Sequence, residues 1–172
     1  MEVALLEKTS LKIKSKNANF VVDPFGQLPK TPTDAVIVLG AEADLSKATD
    51  YRVVIKSSGE YEVGGIKISG INLENAVVYD LTIDNMSVLL AKTSSIAKVS
   101  DKIREYEIAI FNVDSEINQT VVTALEPRVV ILYGEKAAEA AKTLGKDDAG
   151  ASQKYAITQD KLPEEMQVFV LK

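Results

Sequence analysis

Short runs of β-branched and aliphatic residues, broken by polar turns, fill the first half of the chain: Val3 to Leu6, Leu11 to Lys14, Phe20 to Val22, Ala35 to Leu39 and Tyr51 to Lys56. Runs of this length and composition predict the strands of a meandering sheet. From Glu60 to Ser69, two alternating segments flank Gly64-Gly65. Glycine takes positive φ without steric cost, so the pair predicts a two-residue hairpin turn. A second hairpin is predicted where Val77 to Ile83 meets Ser87 to Leu90 through Asp84-Asn85, residue types that tolerate left-handed backbone, and the two hairpins are expected to adjoin.

After Lys92 the texture changes. Asp101 to Tyr106, Ser115 to Leu125 and Glu135 to Leu144 carry helical spacing, while Ile108 to Val113 and Arg128 to Tyr133 read as buried strands. Gly145 stands where a helix would end, Lys146 to Ser152 is loop-like in composition, and Met166 to Leu171 reads as the last strand. No fixed-period repeat is visible, so residues 1–172 are read as a single domain.

The 172 residues are enough to bury a sizeable core, and 46% hydrophobic with 26% charged residues is a globular balance. A net charge of −5 argues against nucleic acid, whose affinity rests on Lys and Arg neutralising phosphates. No window approaches the roughly 18–20 continuous apolar residues of a membrane span. The start, Met1-Glu2-Val3, lacks a basic segment followed by an apolar run. No membrane association is expected, and the expected location is cytoplasmic.

The chain holds no histidine and no cysteine. Ser-His-Asp and Cys-His catalysis are therefore excluded, as is the usual zinc centre of imidazoles or thiolates. No G-x-G-x-x-G occurs, and Gly145-Lys146 lacks the surroundings of a phosphate loop. Lys92-Thr93-Ser94-Ser95 and Lys56-Ser57-Ser58-Gly59 hold hydroxyls near a lysine, the raw material of a Ser/Lys nucleophile, but read more simply as turns. Glu60 and Glu62 share one strand face, and Lys12, Lys14 and Lys16 repeat every second residue. Both sets read as solvated surface.

Three motifs together carry a resemblance. Val3 to Leu6, the turn Glu7-Lys8-Thr9-Ser10, Leu11 to Lys14 and Phe20-Val21-Val22-Asp23-Pro24 match an opening of strand, turn, strand, and strand ending in Asp-Pro. Gly59 to Gly65 matches a Gly-Glu-Tyr-Glu run with a glycine hairpin, and Glu126-Pro127-Arg128 matches a Glu-Pro-Lys before a buried strand. The layout resembles the small, UlaG-type branch of the metallo-β-lactamase superfamily. That resemblance implies an α/β fold, a metallo-β-lactamase-like αββα sandwich reduced in size, with trimming expected in residues 24–34 and 40–50.

The resemblance also implies where metal ligands would stand. A His-x-His-x-Asp-His motif would fall on Gly40, Glu42, Asp44 and Leu45, so only Asp44 keeps its residue type. A further histidine would fall near Leu90, a bridging aspartate near Thr93, and a final histidine at Gly134. The expectation is therefore a non-catalytic domain, not an enzyme and without a cofactor. It would bind a protein partner or a second copy of itself, and Leu39, Leu45, Leu90 and Tyr133 would fill the former site. The competing expectation is a hydrolase of an ester, lactone or phosphoester using no metal or a hard cation held by Asp23, Glu42 and Asp44. The first predicts a closed aliphatic site with an apolar patch elsewhere, and the second an open polar cleft.

Overall fold

The structure is a computed structural model that describes residues 1–40, 43–73, 76–96, 104–147 and 149–172. The first strands are β1 (Glu2–Glu7), β2 (Ser10–Lys14), β3 (Asn19–Val22), β4 (Thr31–Pro32), β5 (Ala35–Ile37), β6 (Ala48–Thr49) and β7 (Val53–Ile55). Next come the long β8 (Gly59–Val63), β9 (Ile66–Leu73), β10 (Ala76–Ile83) and β11 (Met86–Lys92). The remainder is β12 (Ile108–Asn112), α1 (Gln119–Ala124), β13 (Val129–Tyr133), α2 (Ala137–Thr143), β14 (Gly150–Ser152), β15 (Lys154–Ala156) and β16 (Gln167–Leu171).

These elements form two main sheets. One has the order β15-β1-β2-β3-β5-β7, the other β14-β16-β13-β12-β11-β10-β9-β8, and β4 and β6 pair as a small ribbon. Alternation along each strand sends one set of side chains into the space between the sheets. Val3, Ile13, Phe20 and Ile37 from the first sheet meet Ile68, Leu81, Leu90 and Ile131 from the second, all fully buried. The opposite face of the larger sheet carries Leu89, Phe111, Val130 and Leu132, covered by Val121 and Val122 of α1 and Ala137, Ala140 and Ala141 of α2. The Tyr79 hydroxyl crosses the core and donates to the carbonyls of Val38 (3.1 Å) and Ile55 (3.3 Å), tying β10 to the other sheet. The expected α/β sandwich is thus the fold observed, mostly sheet, with both described helices packed on the larger sheet.

Both predicted hairpins form and their strands pair side by side, β9 with β10. Their turn residues take positive φ: Gly64 58°, Gly65 78°, Asp84 50° and Asn85 67°. The helical expectations shorten. Ser115 to Leu125 contracts to α1, because Asn118 caps it by accepting from the N–H groups of Thr120 and Val121. Of Asp101 to Tyr106, residues 101–103 lie outside the described part and 104–106 are irregular, Tyr106 instead donating its N–H to the Leu125 carbonyl. The loop expected at residues 146–152 contains β14, paired in parallel with β16. Lys12 and Lys14 lie on β2, an interior strand, so they belong to an outer face and not to an edge. No described helix is long and apolar enough to cross a membrane.

The topology fixes where a site can form. β11, β12 and β13 run in parallel, as do β3 and β5. Open α/β sheets bind ligands beyond the carboxyl ends of parallel strands, where the chain leaves the sheet and frees side chains and backbone groups. In both sheets those ends point toward the same end of the sandwich.

Candidate functional site

The row Lys92, Asn112 and Tyr133 forms the last register across the ends of β11, β12 and β13. Asp23 follows β3 in the other sheet, and Leu39-Gly40 follow β5. An open cleft of about 660 Å³ lies between these ends, walled by Asp23, Gly40, Lys92, Asn112 and Asp114, with Glu7 to Ser10 and Glu135-Lys136 at its rim. A second groove continues on the far side of Lys92, sharing Gly40, Ala43, Lys92 and Asp114 with the first.

Asp23 is the most constrained polar group. It is buried, its φ is 42°, and its Oδ1 accepts from the N–H groups of Leu39 (2.7 Å) and Gly40 (3.1 Å). The Ser10 hydroxyl donates to its carbonyl at 2.6 Å. Burial pushes the carboxyl above the usual aspartate range, against the lowering effect of the Gly40 and Leu39 N–H groups and the Lys92 charge. Asp114 differs. Burial raises it too, but the hydroxyl and N–H of Ser94, the Thr93 hydroxyl and the Lys92 charge together hold it below that range.

Lys92 lines the same cleft as both. An ideal Cβ built on Gly40 would stand 3.0 Å from the Lys92 Nζ and 3.7 Å from Asp23 Oδ2. The ammonium is therefore seated over Gly40, in an ion pair with neither carboxylate but with its charge felt at both. Beneath it the Tyr133 hydroxyl is buried without a hydrogen-bond partner, beside the Asn112 side chain and within the fields of Asp23 and Asp114. Burial first, and then those two negative charges, push the Tyr133 hydroxyl well above its ordinary pKa, so it stays protonated.

The residues expected at ligand positions are dispersed. Gly40 lines the cleft, whereas Leu90 is fully buried in the intersheet core. Thr93 is buried and donates to Asp114 Oδ1 at 3.0 Å, which ties the end of β11 to the loop after β12. Gly134 takes φ 101°, and a Cβ there would press to 3.0 Å from Asn112 Oδ1. Asp44 is half-buried and caps a single 3-10 turn, its Oδ1 accepting from the Ser46 N–H (3.0 Å) and hydroxyl (2.7 Å). Glu42 lies outside the described residues. Asp23, Glu42 and Asp44 are therefore not assembled as a cation site by any described contact, and no described group of three or more acidic residues is placed to hold a metal.

The filling of the site by Leu39, Leu45, Leu90 and Tyr133 is realised at three of the four positions. Leu90 and Tyr133 are fully buried and Leu39 packs against the core, but Leu45 is 37% exposed beside the second groove. Phe25, 46% exposed, stands at the rim of the first cleft. The large exposed apolar side chains thus border the clefts and form no patch elsewhere among the described residues. Asn112 and Asp114 were not singled out in the sequence, although both sit at the end of a buried strand, where such residues are poised for function.

No family model matches the sequence, and no curated protein sequence matches it. Solved structures do. A proposed Zn-dependent hydrolase of the metallo-beta-lactamase superfamily from Thermotoga maritima superposes with a TM-score of 0.76 at 20% identity, covering 99% of this chain and 98% of that one. A proposed metal-dependent hydrolase from Parabacteroides distasonis gives 0.60 at 14%, covering 99% and 93%. The isothiocyanate hydrolase from Delia radicum gut bacteria gives 0.53 at 11%, covering 99% and 96%. The fold is therefore that of the metallo-β-lactamase superfamily.

These neighbours correct the expectation that the chain is not an enzyme. Proteins sharing the architecture over nearly their whole length bear the names of hydrolases, and beside the buried Leu90 and Tyr133 lies an open cleft walled by charged and polar side chains. The divalent metal implied by such neighbours does not fit the donors present. Zinc sites use imidazole, thiolate or carboxylate ligands at about 2.0–2.3 Å. Here the chain has no imidazole or thiolate, one oxygen of Asp23 is taken by two N–H groups, and an ammonium occupies the space over Gly40.

Proposed function

We propose that this chain is a hydrolase that cleaves a small ester, lactone or phosphoester in the cleft between the sheets, using its own side chains for the proton chemistry. The observation that supports this reading is Asp23, a buried carboxylate on the wall of an open polar cleft, with its Oδ2 facing the Lys92 side. A carboxylate whose pKa is raised by burial is a stronger base than a solvated one once ionised, the usual device for tuning a general base.

For a carboxylic ester or lactone the step balances within the site. A water oxygen bonds to the carbonyl carbon while its proton passes to Asp23 Oδ2. The carbonyl electron pair moves onto oxygen, where the Lys92 ammonium faces it. Collapse re-forms the carbonyl, breaks the bond to the leaving oxygen, and returns the proton from Asp23 to that oxygen. The sum is addition of one water across one ester bond. Support for the hard-cation form is weaker, because Asp44 Oδ1 is engaged as a turn cap by the Ser46 N–H and hydroxyl.

The test is turnover of p-nitrophenyl acetate, p-nitrophenyl phosphate and a simple γ-lactone by protein treated with a chelator. Activity on at least one, reduced about 100-fold or more in Asp23→Asn, is expected from the size of general-base effects. Equal rates for the native chain and Asp23→Asn on every substrate would sink the reading.

A further inference from the structure

The geometry points to Lys92 as the resident cation of this site: its tethered ammonium, held over Gly40 in the cleft that Asp23 and Asp114 also line, opposes a free divalent ion there, so that lysine and metal exclude one another. Gly40 is the seat. A side chain at that position would begin 3.0 Å from Nζ and 3.4 Å from Cε of Lys92, so the lysine lies closely against this strand end where residue 40 has no Cβ, and a larger residue would make its flexible end give by a few tenths of an ångström. Gly40 is outside the positive-φ set.

Three further observations agree. The Lys92 charge acts on both flanking carboxyls, which sit at the ends of strands from different sheets. Lys92 and Asp114 border both grooves, which places the ammonium at the partition between them. The neutral donors around the carboxylates are arranged for anions: two N–H groups on Asp23 and the Ser94 and Thr93 groups on Asp114. Two carboxylates and the Asn112 amide oxygen at one strand end are oxygen donors of the kind that hard cations accept alongside water. A positive charge already among them opposes a second.

This inference takes its location from the proposed function but not its test, which reads metal binding and not turnover. Mn²⁺ binding is measured by electron paramagnetic resonance and by thermal shift on the full chain, with Lys92→Ala, Lys92→Gln and Lys92→Ala combined with Asp114→Asn. The native chain is expected to show no binding below millimolar Mn²⁺. At least one of the two lysine variants should bind tenfold or more tightly than the native chain, and the gain should vanish in the double variant. The glutamine variant keeps the side chain's length and guards against a failure of the alanine variant to fold. No gain in either lysine variant would overturn the inference, as would native binding as tight as theirs. No hydrolysis by the native chain with the gain intact would count against the proposed function alone, and native hydrolysis without the gain against this inference alone.

Discussion

The two ends of the sandwich obey different rules. At the hairpin end, Gly64-Gly65 and Asp84-Asn85 turn the chain with left-handed backbone, and Gly64 packs so closely that a Cβ would come within 2.8 Å of the Asn17 carbonyl. The Asp84 carboxylate there also pairs with the buried N-terminal ammonium at 2.8 Å. At the cleft end the chain leaves β3, β5, β11, β12 and β13 in one direction, and what collects is a buried carboxylate, an ammonium, an amide and an unpaired hydroxyl. Buried polar groups are costly for stability, and the buried carboxylate and amide that wall the open cleft mark that end as the part available for chemistry.

The sharpest way to break that division is to show that a cleft substitution acts through stability. Asp23→Asn is expected to lower hydrolysis by about 100-fold or more, equivalent to about 2.7 kcal/mol or more of barrier, while the fold persists. Gly64→Val should do the reverse. Positive φ and the carbonyl contact together should cost about 2–4 kcal/mol of stability, read from a urea unfolding midpoint, with hydrolysis per folded molecule unchanged. If the glycine variant unfolds at the native midpoint, the hairpin end is not under the constraint its geometry implies.

The flanking carboxylates sharpen the comparison through pH. Asp23 has its pKa raised in the folded chain, chiefly by burial, so the folded state holds that proton more tightly than the unfolded state. Its contribution to stability is full below the ordinary aspartate value of 3.8 and is lost as pH rises through the raised folded value. Asp114 has the opposite sign. Burial raises it, but the Ser94 and Thr93 groups and Lys92 outweigh that, so its contribution is present above the ordinary value and lost as pH falls through the lowered one. Relative to the native chain, Asp23→Asn should therefore gain stability as pH rises from about 4 to about 7, while Asp114→Asn should show a constant deficit over that range that shrinks only below about pH 4. Melting curves across that range that move in parallel for both variants would contradict the assignment.

Tyr133→Phe probes the core behind the strand ends with a smaller effect. A buried hydroxyl lacking a partner costs about 1–3 kcal/mol, so removing it should raise stability by about 1 kcal/mol in the same urea measurement. A clear destabilisation would mean that the hydroxyl is bonded in solution, through water or through Asn112.

Legibility in the sequence follows this same division. The hairpins were readable because Gly64-Gly65 and Asp84-Asn85 carry their conformation in residue type, and the buried runs Ile108 to Val113 and Arg128 to Tyr133 because both faces of those strands are covered. The segment now α1 read too long because its apolar spacing extends past the point where Asn118 caps the helix. The cleft was half readable. Asp23 was marked by its place before Pro24, but Lys92 looked like part of a turn, and Asn112 and Asp114 like the tail of a strand. Their meeting depends on parallel register between strands some 20 residues apart in sequence, information that local pattern does not contain. The absence of histidine suggested a filled site, and missed that a lysine on a neighbouring strand end can stand over Gly40.

The smallest expected effect lies at the rim. Lys8, in the β1–β2 turn, and Glu135, between β13 and α2, pair at 3.4 Å across the mouth of the cleft, the only described ion pair there. The position invites reading the pair as a latch joining the two sheets. Both side chains are 77% exposed, however, and a solvated pair on two long side chains gains little over hydration and loses conformational freedom. Lys8→Ala should change the urea midpoint by an amount close to experimental error, at most about 0.5 kcal/mol, and should leave ester turnover within about twofold. A larger change in turnover without a change in stability would make Lys8 part of the substrate's path, and would extend the chemical end of the molecule from the strand ends out to the β1–β2 turn.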